Sequence, residues 1–109
     1  MMIAERTLKL DVGGRDIDMP VRIYLPVGNA GHWQCEYEIG WPNAPRRSAA
    51  HGIDAVQALL LALQRIGAEL YTSDSHRSGK LKFERHGNGY GFPLASGIRD
   101  LHEGDDVGM

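Results

Sequence analysis

Arg46, Arg47 and His51 stand just ahead of Asp54, which opens an apolar-periodic run over residues 53–72. Two guanidiniums and an imidazole beside the free N–H groups of a helix start would make an anion site, because those N–H groups carry partial positive charge. Asp54 competes for the same groups as an N-cap. A second candidate is Gly87-Asn88-Gly89-Tyr90-Gly91-Phe92-Pro93. Glycine at alternate positions lets backbone approach a ligand closely, which makes a binding loop around Tyr90 one reading; a flexible turn that lets Tyr90 and Phe92 pack is the other. The loop is not a dinucleotide fingerprint, since no helix follows it, and it lacks the Gly-Lys-Ser/Thr of a P-loop. Cys35 is the single cysteine. As a nucleophile it would need a nearby base and a lowered pKa. Its alternation with Trp33 and Tyr37 places it instead on a core face, as a small buried hydrophobe. The five histidines, His32, His51, His76, His86 and His102, show no metal-ligand spacing with one another, with cysteine or with carboxylates. No metal site and no cofactor are expected, and no catalytic residue is assigned.

Arg6 and Leu61 break the pattern of their neighbours. Arg6 falls on an inward strand face opposite Val21. Either it lies at the sheet rim with its head in water, or a carboxylate or carbonyl holds it and it shapes a pocket. Leu61 projects from a polar helix face between Gln57, Gln64 and Arg65. A leucine ringed by polar groups has the composition of a small interface, and two such helices could cross about a two-fold axis. Trp33, Tyr37 and Trp41 line one face and supply bulk for a core or a stacking surface for a planar ligand.

These residues need elements to position them. Residues 53–72 read as one amphipathic helix, with Ala62, Ala55, Ile66, Leu59, Leu70, Leu63, Val56, Gly67 and Leu60 in the apolar arc. Asp54 is its N-cap and Gln57 completes a capping box. Ile17, Met19, Val21, Ile23, Leu25 and Val27 alternate strictly with less apolar neighbours, and residues 2–12 alternate in the opposite parity across Gly13-Gly14. That is a two-residue hairpin. Its register sets Leu10 against Ile17, Leu8 against Met19, Glu5 against Arg22, Lys9 against Asp18, and the prolines Pro20 and Pro26 against Thr7 and Met1. Residues 33–41 form a third strand after a five-residue loop 28–32, with Leu25 facing Cys35, Ile23 facing Tyr37 and Arg22 between Glu5 and Glu38. Arg46–Ala50 offers a short edge strand, residues 73–79 a loop, and Lys80–His86 a late strand. The expectation is an α+β fold: an antiparallel meander of three to four strands on one long helix, with a further C-terminal strand. Residues 1–95 form a single domain and residues 96–109 a flexible acidic tail.

The chain has 109 residues, 42% hydrophobic and 24% charged, with a formal net charge of −2. That suits one soluble core and disfavours nucleic acid as a partner. No apolar run reaches the roughly 18 residues that span a bilayer, so no membrane association is expected. Glu5 and Arg6 interrupt any signal core, and a lone cysteine forms no internal disulfide, so a cytoplasmic location is expected.

The strings Trp33-x-Cys35-x-Tyr37-x-Ile39 and His51–Leu63 (HGIDAVQALLLAL), with Ile3–Arg6 and Gly91-Phe92-Pro93, resemble a family of small bacterial proteins of about this length, classed as a domain of unknown function. The resemblance covers residues 3–94 and implies a bacterial source; it carries no activity, cofactor or site residue. The small acidic chain is also similar in kind to immunity proteins of bacterial toxin systems. The function expected is that of a non-catalytic interaction protein, its partner another protein or a second copy in a homodimer. The alternative is a small-ligand-binding module or enzyme with its site near loop 87–93 and the helix N-terminus.

Overall fold

Gly13 and Gly14, at φ +62° and +83°, form the mirror-image turn that matches strand twist, and Asp11 Oδ1 accepts from the Gly14 N–H at 2.9 Å. The computed structural model, which describes residues 1–109, thus starts as the expected hairpin of β1 (Met2–Val12) and β2 (Arg15–Tyr24). Leu10 faces Ile17, Leu8 faces Met19, Thr7 faces Pro20 and Glu5 faces Arg22. Arg22 bridges Glu5 at 2.6 Å and Glu38 at 3.0 Å on the outer face. The register slips between Ala4 and Met2, which leaves Ile3 as an extra residue and sets Met2 opposite Tyr24. Pro26 therefore does not reach Met1, whose carbonyl accepts from Leu25 N–H instead.

The expected five-residue connector is a tight hairpin. β3 (Val27–Asn29) runs through Ala30-Gly31 into β4 (His32–Ile39), with Asn29 opposite His32 and Gly31 at φ +76°. Ile23 faces Tyr37 and Arg22 faces Glu38 as expected, but Val27 faces Gln34, one residue out of that register. Leu25 falls in the interruption, is not paired with Cys35, and stays exposed. β4 stops at Ile39, so Trp41 lies beyond the strand. β5 (Arg46–Gly52) pairs with β4 along its whole length. The late strand shrinks to β6 (Leu81–Lys82) against Leu10 and Lys9, because Glu84 turns to φ +64° and Arg85 N–H folds back onto the Phe83 carbonyl. The result is an α+β fold with an antiparallel sheet of six strands, ordered β5, β4, then β2 and β3 end to end, β1, β6.

Helix α1 (Ala55–Tyr71) begins as expected: Asp54 accepts from Gln57 N–H at 2.8 Å and Gln57 Oε1 accepts from Ile53 N–H at 2.8 Å. Its orientation differs from the sequence arc. Ala58, Ala62, Ile66, Gly67, Leu70 and Tyr71 are buried, whereas Val56 and Leu60 face solvent. The helix lies mainly over β4 and β5, and the small side chains of Ala58 and Ala62 take the close contact. The half of the inner face above β1 and β2 is covered by Tyr90, Phe92 and Leu94, which join Leu8, Met19, Val21, Tyr37 and Ile39 in one core. A short helix α2 (Asp74–Arg77), capped by Ser73, interrupts the expected loop. Residues 96–101 and 104–106 form 3₁₀ turns, and the acidic tail is docked on the domain through its buried residues His102 and Asp106. No helix is long and apolar enough to cross a membrane.

Candidate functional site

The glycine-rich loop is gripped from two sides. On one side the Asp106 carboxylate, 2% exposed, accepts from Tyr71 OH at 2.6 Å, Tyr90 N–H at 2.8 Å and Gly91 N–H at 2.8 Å. Adjacent N–H groups in a chain of alternating φ sign make a natural anion cradle, and here the anion is the protein's own. A Cβ on Gly89 would lie 2.5 Å from the Asp106 carboxyl carbon, which is why the position is glycine. On the other side Arg6 Nη1 donates to the Tyr90 and Gly91 carbonyls, both at 3.0 Å. Its guanidinium lies 4.7 Å from the Phe83 ring centre and 5.3 Å from that of Phe92. Of the two readings of Arg6, the carbonyl-held one is correct; the charge is solvated by backbone and aromatic faces.

Around the loop the rings of Tyr71, His76, Tyr90 and His102 pack edge-on or tilted, with centres 4.9–5.5 Å apart. His102 Nε2 hydrogen-bonds the Phe92 carbonyl at 3.0 Å. His76 Nδ1 is hydrogen-bonded to Tyr90 OH and its Nε2 lies 3.3 Å from Glu103 Oε1. Tyr90, His76 and Glu103 thus have the order of a nucleophile, base and orienting group. Burial first, then the charges of Glu103 and Asp106, pushes the Tyr90 phenol well above its ordinary pKa, and burial with the Asp106 hydrogen bond does the same to Tyr71. Both phenols stay protonated at neutral pH, and their hydrogen bonds to His76 and Asp106 tie the loop to α2 and the tail.

Tyr90 is the one candidate from the sequence, besides Arg6, that lies in this cluster. Arg46 and Arg47 are neighbours on a strand and so point to opposite faces. Arg46 pairs with Glu69 on the helix, while Arg47 binds Glu36 at 2.7 Å and covers the Tyr24 ring at 4.4 Å. His51 is exposed, and the three do not converge on an anion site. Gln57 is engaged at the helix cap, and Arg65 Nη1 donates to the Ala49 carbonyl at 2.8 Å, covering the β5 edge. Leu61 is half-buried over Ala50, beside Gln64, Arg65 and Ala68, so it does not stand out as a ridge. Cys35 is fully buried; its Sγ donates to the Tyr24 carbonyl at 3.3 Å, and burial pushes the thiol pKa up. No group of three or more His, Cys, Asp or Glu side chains is placed to hold a metal ion.

The family match spans the sheet, α1 and the glycine-rich loop, over residues 4–94, and its description is a domain of unknown function (DUF6968). The chain belongs to this family. No curated protein and no solved structure matches it. The DUF6968 match includes Arg6, Tyr71, His76, Tyr90 and Gly91 but stops before His102, Glu103 and Asp106. Sequence reasoning missed Tyr71, His76, His102 and Asp106, since each finds its partner 10–35 residues away and no local pattern marks them.

Proposed function

We propose that this protein is a non-catalytic interaction module that pairs with a second copy of itself through the uncovered apolar end of its sheet and helix. One observation carries the reading. Ile53 and Val56 are 68% and 74% exposed, and Met2, Leu25 and Leu60 are each about half exposed. The strand registers put Met2 beside Tyr24, and Gly52 beside Trp33, at the same end of the sheet. Scattered exposed hydrophobics need no explanation, but Ile53, Val56 and Leu60, spaced along one helix shoulder, do. A separate groove of about 290 Å3 is lined by Ala4, Ile23, Leu63, Phe92 and Pro93, with Glu5 and Arg6 on its wall.

Ile53, Val56 and Leu60 form a stripe along one shoulder of the helix, and a two-fold contact needs only one such stripe from each copy. Sedimentation of wild type, Val56→Asp and Leu61→Glu tests the proposal. A wild-type dimer that Val56→Asp converts to monomer and Leu61→Glu leaves intact is the expected result. A monomeric wild type at high micromolar concentration, or a dimer indifferent to Val56→Asp, overturns it.

A further inference from the structure

We infer that the cleft between β6, α2 and the glycine-rich loop binds a small oxoanion: a phosphate group, free or esterified to a small molecule. The cleft has a volume of about 210 Å3, and His76, Arg77, Lys82, Arg85 and His86 all line it. Glu103 is its one carboxylate, and that group already faces His76 at 3.3 Å. The chain as a whole carries a net charge of −2, so this concentration of cations is local and not a general basicity.

The cations are not all neutralised by neighbours. Lys82 pairs with Asp16 at 2.7 Å, and Arg77 pairs with Asp74. Arg85 and His86 form no ion pair and no side-chain hydrogen bond. A guanidinium with unfilled donors in a concave site is the side chain best shaped for bidentate recognition of a phosphate.

The backbone supplies an independent argument. Gly87 and Gly89 line the cleft, and their N–H groups have no hydrogen-bond partner within the protein, although Gly89 is buried. Gly87 and Gly89 hold φ of +78° and +80° with residues of negative φ between and after them, the alternation that turns successive N–H groups to one side. The next two N–H groups of this run already bind a carboxylate, that of Asp106. Just upstream, Glu84 is the only non-glycine residue with positive φ, at +64°, and Arg85 N–H donates to Phe83 O at 2.7 Å. This tight turn directly precedes Arg85, which lines the cleft. Cationic side chains and unpaired main-chain N–H groups thus line one small space.

The test is titration of the full chain with sodium phosphate against sodium chloride at equal ionic strength. It is read by melting temperature and by amide shifts in a two-dimensional 15N spectrum. The expected result is saturable stabilisation by phosphate, with shifts concentrated at residues 85–89. Arg85→Gln should weaken binding by tenfold or more, and Arg47→Gln, a cation elsewhere on the surface, should leave it unchanged. Lys82→Gln serves as a second variant within the cleft, with circular dichroism as the check of folding. Glycerol 3-phosphate in place of phosphate separates the two sources: tighter binding assigns the cleft to the ester, equal binding to the phosphate group alone. No saturable effect, an equal effect of chloride, or undiminished binding in both Arg85→Gln and Lys82→Gln overturns the inference.

Discussion

Tyr71, the last residue of α1, donates a 2.6 Å hydrogen bond to the carboxylate of Asp106, 35 residues further along the chain. The same carboxylate takes two backbone N–H groups of the glycine-rich loop, so one side chain ties helix, loop and tail together. Removing it leaves several buried donors without an acceptor. Asp106→Ala should lower stability by about 2–4 kcal/mol in urea unfolding, and Tyr71→Phe by about 1–2 kcal/mol. A loss below about 0.5 kcal/mol for Asp106→Ala would mean that the tail is not docked in solution.

Alkaline pH should weaken the fold. Tyr71, Tyr90 and Tyr37 have pKa values raised above the ordinary 10.0, in each case mainly by burial. A raised folded pKa means that the native state holds the neutral phenol more tightly than the unfolded chain. Its contribution is complete below pH ~10 and is lost as pH climbs toward the folded values. Tyrosinate absorbance should rise at higher pH in native than in denatured protein, and Tyr71→Phe should flatten the decline of stability above pH ~10. Coincident native and denatured titrations would contradict this.

Gly67 marks a close crossing, though not with the sheet. A Cβ there would intrude deeply on the Pro93 carbonyl oxygen and lie 3.2 Å from Leu94 Cδ2. Alanine gains about 1 kcal/mol of helix propensity over glycine. Backbone cannot yield as a side-chain tip can, so Gly67→Ala should be destabilising by a net ~1–3 kcal/mol. A raised melting temperature would show that residues 93–94 do not press on the helix.

Cys35 should behave as packing. It is fully buried and its thiol pKa is raised by burial. A thiol reagent should label native protein slowly and denatured protein fast, and Cys35→Ser should cost about 1–3 kcal/mol by placing a stronger polar group in the core. Rapid stoichiometric labelling of the folded chain would falsify the assignment.

Much of the fold was legible because its signals are local. Strict alternation across Gly13-Gly14 gives the hairpin and its register, including Glu5 against Arg22, and Asp54 with Gln57 marks the start of the helix. The sequence by itself determined these because turn chemistry and side-chain period act over a few residues. Only the tertiary structure decided which part of the apolar arc would be buried. Val56 and Leu60 carry the right period but sit where no strand or loop covers them, whereas Ala58 meets the sheet because it is small. Arg6 reaches Tyr90 and Gly91 across 84 and 85 residues, and Asp106 reaches Tyr71 across 35. A glycine-rich loop reads the same in sequence whether it cradles a ligand or the protein's own tail. The difference lies in which charged groups the folded chain brings to its N–H groups and carbonyls, and these come from segments whose proximity no local pattern encodes.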